Sequence, residues 1–179
     1  MLQSVLHLFF NSPSSLNSAV LIFVFPMMAM AERNDDVAVT TVQSAVQEFV
    51  NKVSSTGKIT QVDYDTMTQK IYATGNTFDT EMEVQVLDAN PGRTKNMPNT
   101  QQNKIGENLY YSEYKSQILS KMNNTTDYKL KEGDRITVKV INNNETISQM
   151  FKNFFYSLSG NNTYKISAQA SDVVKCDGI

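Results

Sequence analysis

Paired carboxylates are the groups in this chain whose type and spacing best suit acid–base chemistry. Asp63 and Asp65 flank Tyr64, and Glu81 and Glu83 stand two residues apart. Two acids converging on a cleft could act as general acid and base, for example on a glycan. Each pair also has a structural reading: negative charge favoured at a helix N-terminus for the first, a solvated strand face for the second. Beyond these pairs the chain offers little. Its one histidine, His7, lies in the N-terminal segment, so the body has no imidazole. That removes Ser-His-Asp and Cys-His schemes and zinc sites built on histidine or several cysteines. The seven glycines are scattered, and none builds a phosphate loop. No catalytic, cofactor-binding or metal-binding residue is expected, and the chain reads as non-enzymatic.

Aromatic residues are the next candidates. Tyr110, Tyr111 and Tyr114 could stack on a sugar or a base, and Phe151, Phe154 and Phe155 could meet a partner. Both sets have helical spacing, which is also how a helix builds a core face. The lone Cys176 cannot close an internal disulfide. It is an unpaired tail thiol or a point of intermolecular tethering. Sixteen basic residues against eighteen acidic ones give no footprint for nucleic acid. Lys129 and Lys131 come nearest to a basic cluster, and Glu132 and Asp134 are expected to neutralise them.

Hydrophobic periodicity indicates the elements that position these groups. Val39, Val42, Val46, Phe49 and Val53 recur at spacings of three and four, the stripe of an amphipathic helix that Gly57 ends. A second helix begins at Thr60 as N-cap, with Asp63 three residues on. Tyr64, Met67 and Ile71 form its inner face, Gly75 ends it, and the two helices make an α-hairpin. Phe78, Thr80, Met82, Val84 and Val86 alternate with polar residues as a half-buried strand. Residues 88–107 are polar and carry Asn90-Pro91-Gly92 and Pro98, so they read as a long exposed loop.

Tyr110, Tyr111, Tyr114, Ile118, Leu119 and Met122 suggest a third helix. Lys131 to Asp134 form a turn, and Ile136, Val138 and Val140 a second strand. Ile147, Met150, Phe151, Phe154 and Leu158 mark a fourth helix; Tyr164, Ile166, Ala168 and Ala170 mark a third strand. The expected fold is α+β, with a long N-terminal helix packed on a sheet of about three strands.

The N-terminus carries a different signal. Met1 to Ala31 contains no Lys, Arg, Asp or Glu, and Ala19 to Ala31 is apolar throughout. Thirteen residues fall short of the roughly 20 a spanning helix needs but suit the core of a signal peptide. Ala29 and Ala31 place small residues where signal peptidase reads them, and Pro26 is expected to break the helix just before. Cleavage would leave Glu32 as the first residue. A retained anchor over roughly Val5 to Ala31 is the alternative. Either way, residues 1–31 are a signal peptide or membrane anchor, and residues 32–179 a single extracytoplasmic domain at the membrane or cell surface.

The stretch TVQSAVQEFVNKVSSTGKIT, followed by DYDTMTQKIYATGNTFDTEMEVQV and YKLKEGDRITVKV, resembles pilin-like proteins of clostridial tight-adherence (Tad/Flp) pilus loci, in particular TadE-type minor pilins and pseudopilins. The resemblance covers roughly Val37 to Val174. It implies an N-terminal hydrophobic helix that anchors the subunit and an amphipathic continuation packed on a small sheet. It also implies assembly through the helix, whose face is Val39, Val42, Val46, Phe49 and Val53. Implied partners are the membrane, other pilus or secretion-system subunits, and further copies of the chain; no cofactor is implied. The glycine that precedes the apolar helix in prepilins has no counterpart, since the first glycine is Gly57. A secreted or surface-anchored module that binds a protein or glycan through residues 88–107 is the alternative function.

Overall fold

The computed structural model describes residues 14–88, 109–124, 127–144, 146, 150 and 167–178. Ser14–Thr56 form one helix, α1. It is followed by β1 (Lys58–Thr60), α2 (Gln61–Tyr72), β2 (Phe78–Leu87) and β3 (Tyr110–Tyr114), then α3 (Lys115–Asn124), β4 (Asp127–Lys129), β5 (Arg135–Asn142) and β6 (Ser167–Val173). The chain separates into two compact units, one of Met1–Ala38 with Glu145–Tyr164, the other of Val39–Asn144 with Lys165–Ile179.

In the first unit α1 does not stop at Pro26, contrary to the sequence expectation. Proline removes one backbone hydrogen bond and crowds the preceding turn, at a cost of about 3 kcal/mol. The Phe, Val, Met and Ala residues around it nevertheless remain helical. Asp35 is buried in this unit, and its carboxylate accepts a 2.8 Å hydrogen bond from the Thr146 hydroxyl.

The second unit is α+β. Its main sheet is antiparallel with strand order β3-β2-β5-β6, and β1 and β4 form a separate antiparallel ribbon. The sheet therefore has one more strand than expected, and the ribbon adds two. Register sets the core face: Met82 lies opposite Val138 and Val84 opposite Ile136, while Val138 meets Ala170 and Val140 meets Ala168. On this face pack Val42, Val46, Phe49 and Val53 of α1, all buried, with Val39 partly buried beside them. Met67 and Ile71 of α2 and Ile118 and Met122 of α3 complete the core, with Tyr64 and Leu119 at its margin.

Two expected helix signals hold in detail. Thr60 is the N-cap of α2, its hydroxyl accepting from the Asp63 backbone N–H at 3.1 Å. Gly57 ends α1 at φ 65°, a left-handed conformation suited to glycine. The C-terminal tail also needs this glycine. A Cβ at Gly57 would lie 2.3 Å from the Cys176 carbonyl oxygen. The tail is tied down by hydrogen bonds from Lys175 N to Ser54 O and from Gly178 N to Leu130 O, both 2.9 Å.

Two expectations change. The α-hairpin is interrupted by β1, whose buried Ile59 faces Tyr128 across the ribbon. Tyr110, Tyr111 and Tyr114 lie on a strand, with helix starting only at Lys115. Aromatic side chains suit strands, and the edge of β2 offers five residues of pairing. Ala168 and Ala170 sit in β6 as expected. The proposed fourth helix falls almost wholly outside the described residues, as do Tyr164, Ile166 and most of the 88–107 loop.

Candidate functional site

The paired carboxylates do not gather. Asp63 is held by Lys52 at 2.5 Å, in a hollow it shares with Glu48, Thr66 and Lys70. Partial burial opposes ionisation of Asp63. Hydrogen bonds involving Lys52 and Thr60 outweigh it, so the carboxyl lies below the usual carboxylate range. Asp65 is exposed and accepts from Gln61 at 2.9 Å. Glu81 faces outward and pairs with Lys139 at 3.4 Å, and Glu83 accepts from the Ser112 hydroxyl at 2.5 Å. Glu81 and Glu83 line a hollow on the outer face of the sheet, separate from that of Asp63. Among the described residues no group of three His, Cys, Asp or Glu could hold a metal ion.

The tyrosines do not form one platform either. Side chains alternate along a strand, so Tyr111 and Glu113 share a face, while Tyr110, Ser112 and Tyr114 point the other way. Tyr111 pairs with Val86 of β2. The helix that follows is capped by Gln117, whose side-chain oxygen accepts from the Tyr114 backbone N–H at 2.9 Å. That is the returning half of a capping box, and Gln117 three residues after Tyr114 is the sequence signal that marks the true boundary.

Where Tyr111 and Glu113 point, the sheet, α3, the ribbon and the turn after it enclose a cleft of about 560 Å³. Lys121 donates to both oxygens of Glu113 at 2.6 Å, and the Tyr128 hydroxyl donates to the same carboxylate at 2.8 Å. The Lys121 ammonium also sits 5.5 Å from the centre of the Tyr128 ring. Burial works against ionising Glu113, but the bonds from Lys121 and Tyr128 prevail and hold it below its usual range. Burial, reinforced by Glu113, holds the Tyr128 phenol far above the usual tyrosine range. The trio is a fixed charge pair and a permanent donor.

Asp134 is also buried in the wall of this cleft. It does not neutralise the neighbouring lysines as the sequence suggests. Its carboxylate turns inward and accepts from the backbone N–H groups of Leu87 and Lys131, each at 2.8 Å. Lys129 and Lys131 remain exposed on the rim, without an ion pair among the described residues.

The other conspicuous surface is on α1. Ile22, Phe23, Phe25, Met27 and Met30 are each more than half exposed. At about 100° per residue they cover an arc of roughly 200° around the helix. Met27, Met30 and Val37 also line an open hollow with Ala31, Arg33 and Asn34. Ala29 is exposed, and Ala31 and Glu32 are half-buried, all within continuous helix. Val39, Val42, Val46, Phe49 and Val53, the face expected to serve assembly, pack in the core with the chain's own sheet, and the exposed large apolar side chains of α1 lie at residues 22–37. Among the described residues no helix is long and apolar enough to cross a membrane. Cys176 is free and half-buried, its thiol 2.9 Å from the Ser55 carbonyl oxygen.

No protein-family model, curated protein or solved structure significantly matches this chain.

Proposed function

We propose that this chain is a non-enzymatic, pilin-like structural or assembly component of a cell-surface pilus or secretion apparatus. It is held at the outer side of the membrane through its N-terminal segment. The observation that carries this reading is the division of α1. Residues 39–53 bury one stripe against an antiparallel sheet, while residues 22–30 expose large apolar side chains over a wide arc. Burying one such side chain fully is worth about 1.5–3 kcal/mol, so five of them together drive association with lipid or with other subunits. An anchoring helix that continues into a sheet-packed helix is also the layout implied by the resemblance to TadE-type pilins.

This function requires the apolar segment to be retained. N-terminal sequencing of the protein from native membranes, with recovery of bound partners, tests it. An intact segment that co-isolates with pilus or secretion-system subunits is expected. A chain beginning at Glu32, recovered alone from the medium, contradicts it.

A surface module that recognises a protein or glycan is the second reading. The observation in its favour is the cleft at Asp88, where the 88–107 stretch leaves the sheet.

A further inference from the structure

We propose that the free edge of β6 pairs antiparallel with the same strand of a second copy of this chain, joining two four-stranded sheets into one. This interface is separate from the exposed apolar half of α1, and it holds whether or not the chain is a pilus component.

β6 ends the strand order, so one side of its backbone has no strand beside it among the described residues. Successive residues of an antiparallel strand turn their N–H and C=O groups to alternate sides. The Val174 N–H bonds the Asp134 carbonyl at 2.8 Å and continues the β5 register, so even-numbered residues of β6 bond to β5. The backbone groups of Ser167, Gln169 and Ser171 therefore point to the free side. There the Gln169 carbonyl receives a long bond, 3.4 Å, from the exposed Gln43 side-chain amide of α1. Beyond Ser171 the edge closes, because the Asp172 carboxylate accepts from the Val173 N–H at 2.8 Å.

Nothing along this edge repels another strand. Proteins usually blunt a sheet edge with lysine, proline or a bulge. Ser167 to Ser171 contain no charged residue and no proline, and their pairing with β5 runs without a bulge. The opposite edge differs. The Asp88 N–H bonds the Leu109 carbonyl at 2.8 Å, which turns Tyr111 and Glu113 toward β2. Only Tyr110 and Ser112 face outward before Gln117 caps the Tyr114 N–H.

The β6 sequence identifies the occupant. Ser-Ala-Gln-Ala-Ser reads the same in both directions. About a two-fold axis at Gln169, Ser167 meets Ser171 of the second copy, Ala168 meets Ala170, and Gln169 meets its equivalent. All three outward-pointing residues then stand in hydrogen-bonded pairs. Opposed residues share a face, so the buried alanines extend the core side, and the exposed serines and glutamines bond one another on the other. Two-fold pairing of identical patches is also the commonest way a chain meets itself. So short a ladder is small beside the roughly 1,200 Å² of a stable interface, so the dimer is a weak one that high local concentration supports.

Disulfide trapping tests the pairing, with full-length protein in detergent at high concentration on a Cys176→Ser background. Facing residues of a hydrogen-bonded pair lie about 5.5 Å apart at Cα, within disulfide reach. With oxidised glutathione, Gln169→Cys should dimerise at least about tenfold faster than Glu81→Cys, a control on the same face of the sheet in β2. Ser167→Cys mixed with Ser171→Cys should give mixed dimers, with little product from either alone. Gln169→Lys in both members of that mixture should slow trapping by about threefold or more, and Gln169→Lys in one with Gln169→Glu in the other should restore it. Thermal melts establish that the variants are folded, and the mixed pair carries the test if Gln169→Cys melts early. The proposal is overturned if Gln169→Cys traps no faster than Glu81→Cys, if Ser167→Cys or Ser171→Cys alone traps as fast as the mixture, or if the paired lysines have no effect.

Discussion

The two halves of α1 are both rich in apolar residues and meet opposite fates. Over residues 39–53 the apolar side chains recur every three or four positions, and most are fully buried. Over residues 19–31 apolar residues follow one another without a polar face, and at least five large ones remain exposed. A stripe matches one sheet and is satisfied inside the chain. A helix that is apolar around most of its circumference is suited to burial on several sides at once, and here its large side chains stay exposed. Periodicity, rather than apolar content, separates the buried stripe of α1 from its exposed apolar half.

The comparison breaks most sharply under truncation. Phe49→Ala should cost about 3–5 kcal/mol in urea unfolding, whereas Phe25→Ala should change stability by no more than about 0.5 kcal/mol. Equal losses would mean that the two halves are buried alike. The junction where the C-terminal tail crosses the end of α1 comes next. Gly57→Ala forces a left-handed alanine and drives its methyl into the Cys176 carbonyl, and should cost about 2–4 kcal/mol. Unchanged stability would show that the tail is not seated there.

Smaller effects sharpen the account of the second unit. Thr60→Ala removes the α2 cap and should cost about 1 kcal/mol, readable as a lower melting temperature. Asp63 and Glu113 have carboxyls held below their usual range. Their contribution to stability is therefore fully present above the unfolded-state values and is lost as pH falls through the folded ones. Urea midpoints should decline from about pH 5 downward, and Asp63→Asn should flatten part of that slope. A slope identical in native protein and variant would remove Asp63 from the account.

Much of the fold was legible because it follows local rules. The α1 stripe, the Thr60 cap, Gly57 and the alternation of β2 and β5 each depend on residues near in sequence. The failures depend on partners distant in sequence. Tyr110 to Tyr114 fit a helix by spacing, but β2 supplied a pairing edge that no local pattern reveals. β1 and β4 are three residues each, too short for a period to register. The cleft was illegible for the same reason. Asp134 looks like a partner for Lys131 in sequence, yet its carboxylate is taken by backbone N–H groups of Leu87 and Lys131. Pro26 reads as a helix breaker, but one lost hydrogen bond does not end so long a helix.

The central claim is that the N-terminal half of α1 meets another molecule in the native setting. Photo-crosslinking in intact cells tests it most directly, with a photoreactive residue at Phe25 and, as a control, at the exposed polar position Gln47. The account predicts adducts with lipid or another subunit from position 25 and few or none from position 47. A retained, folded protein that gives no adduct at position 25 would contradict it.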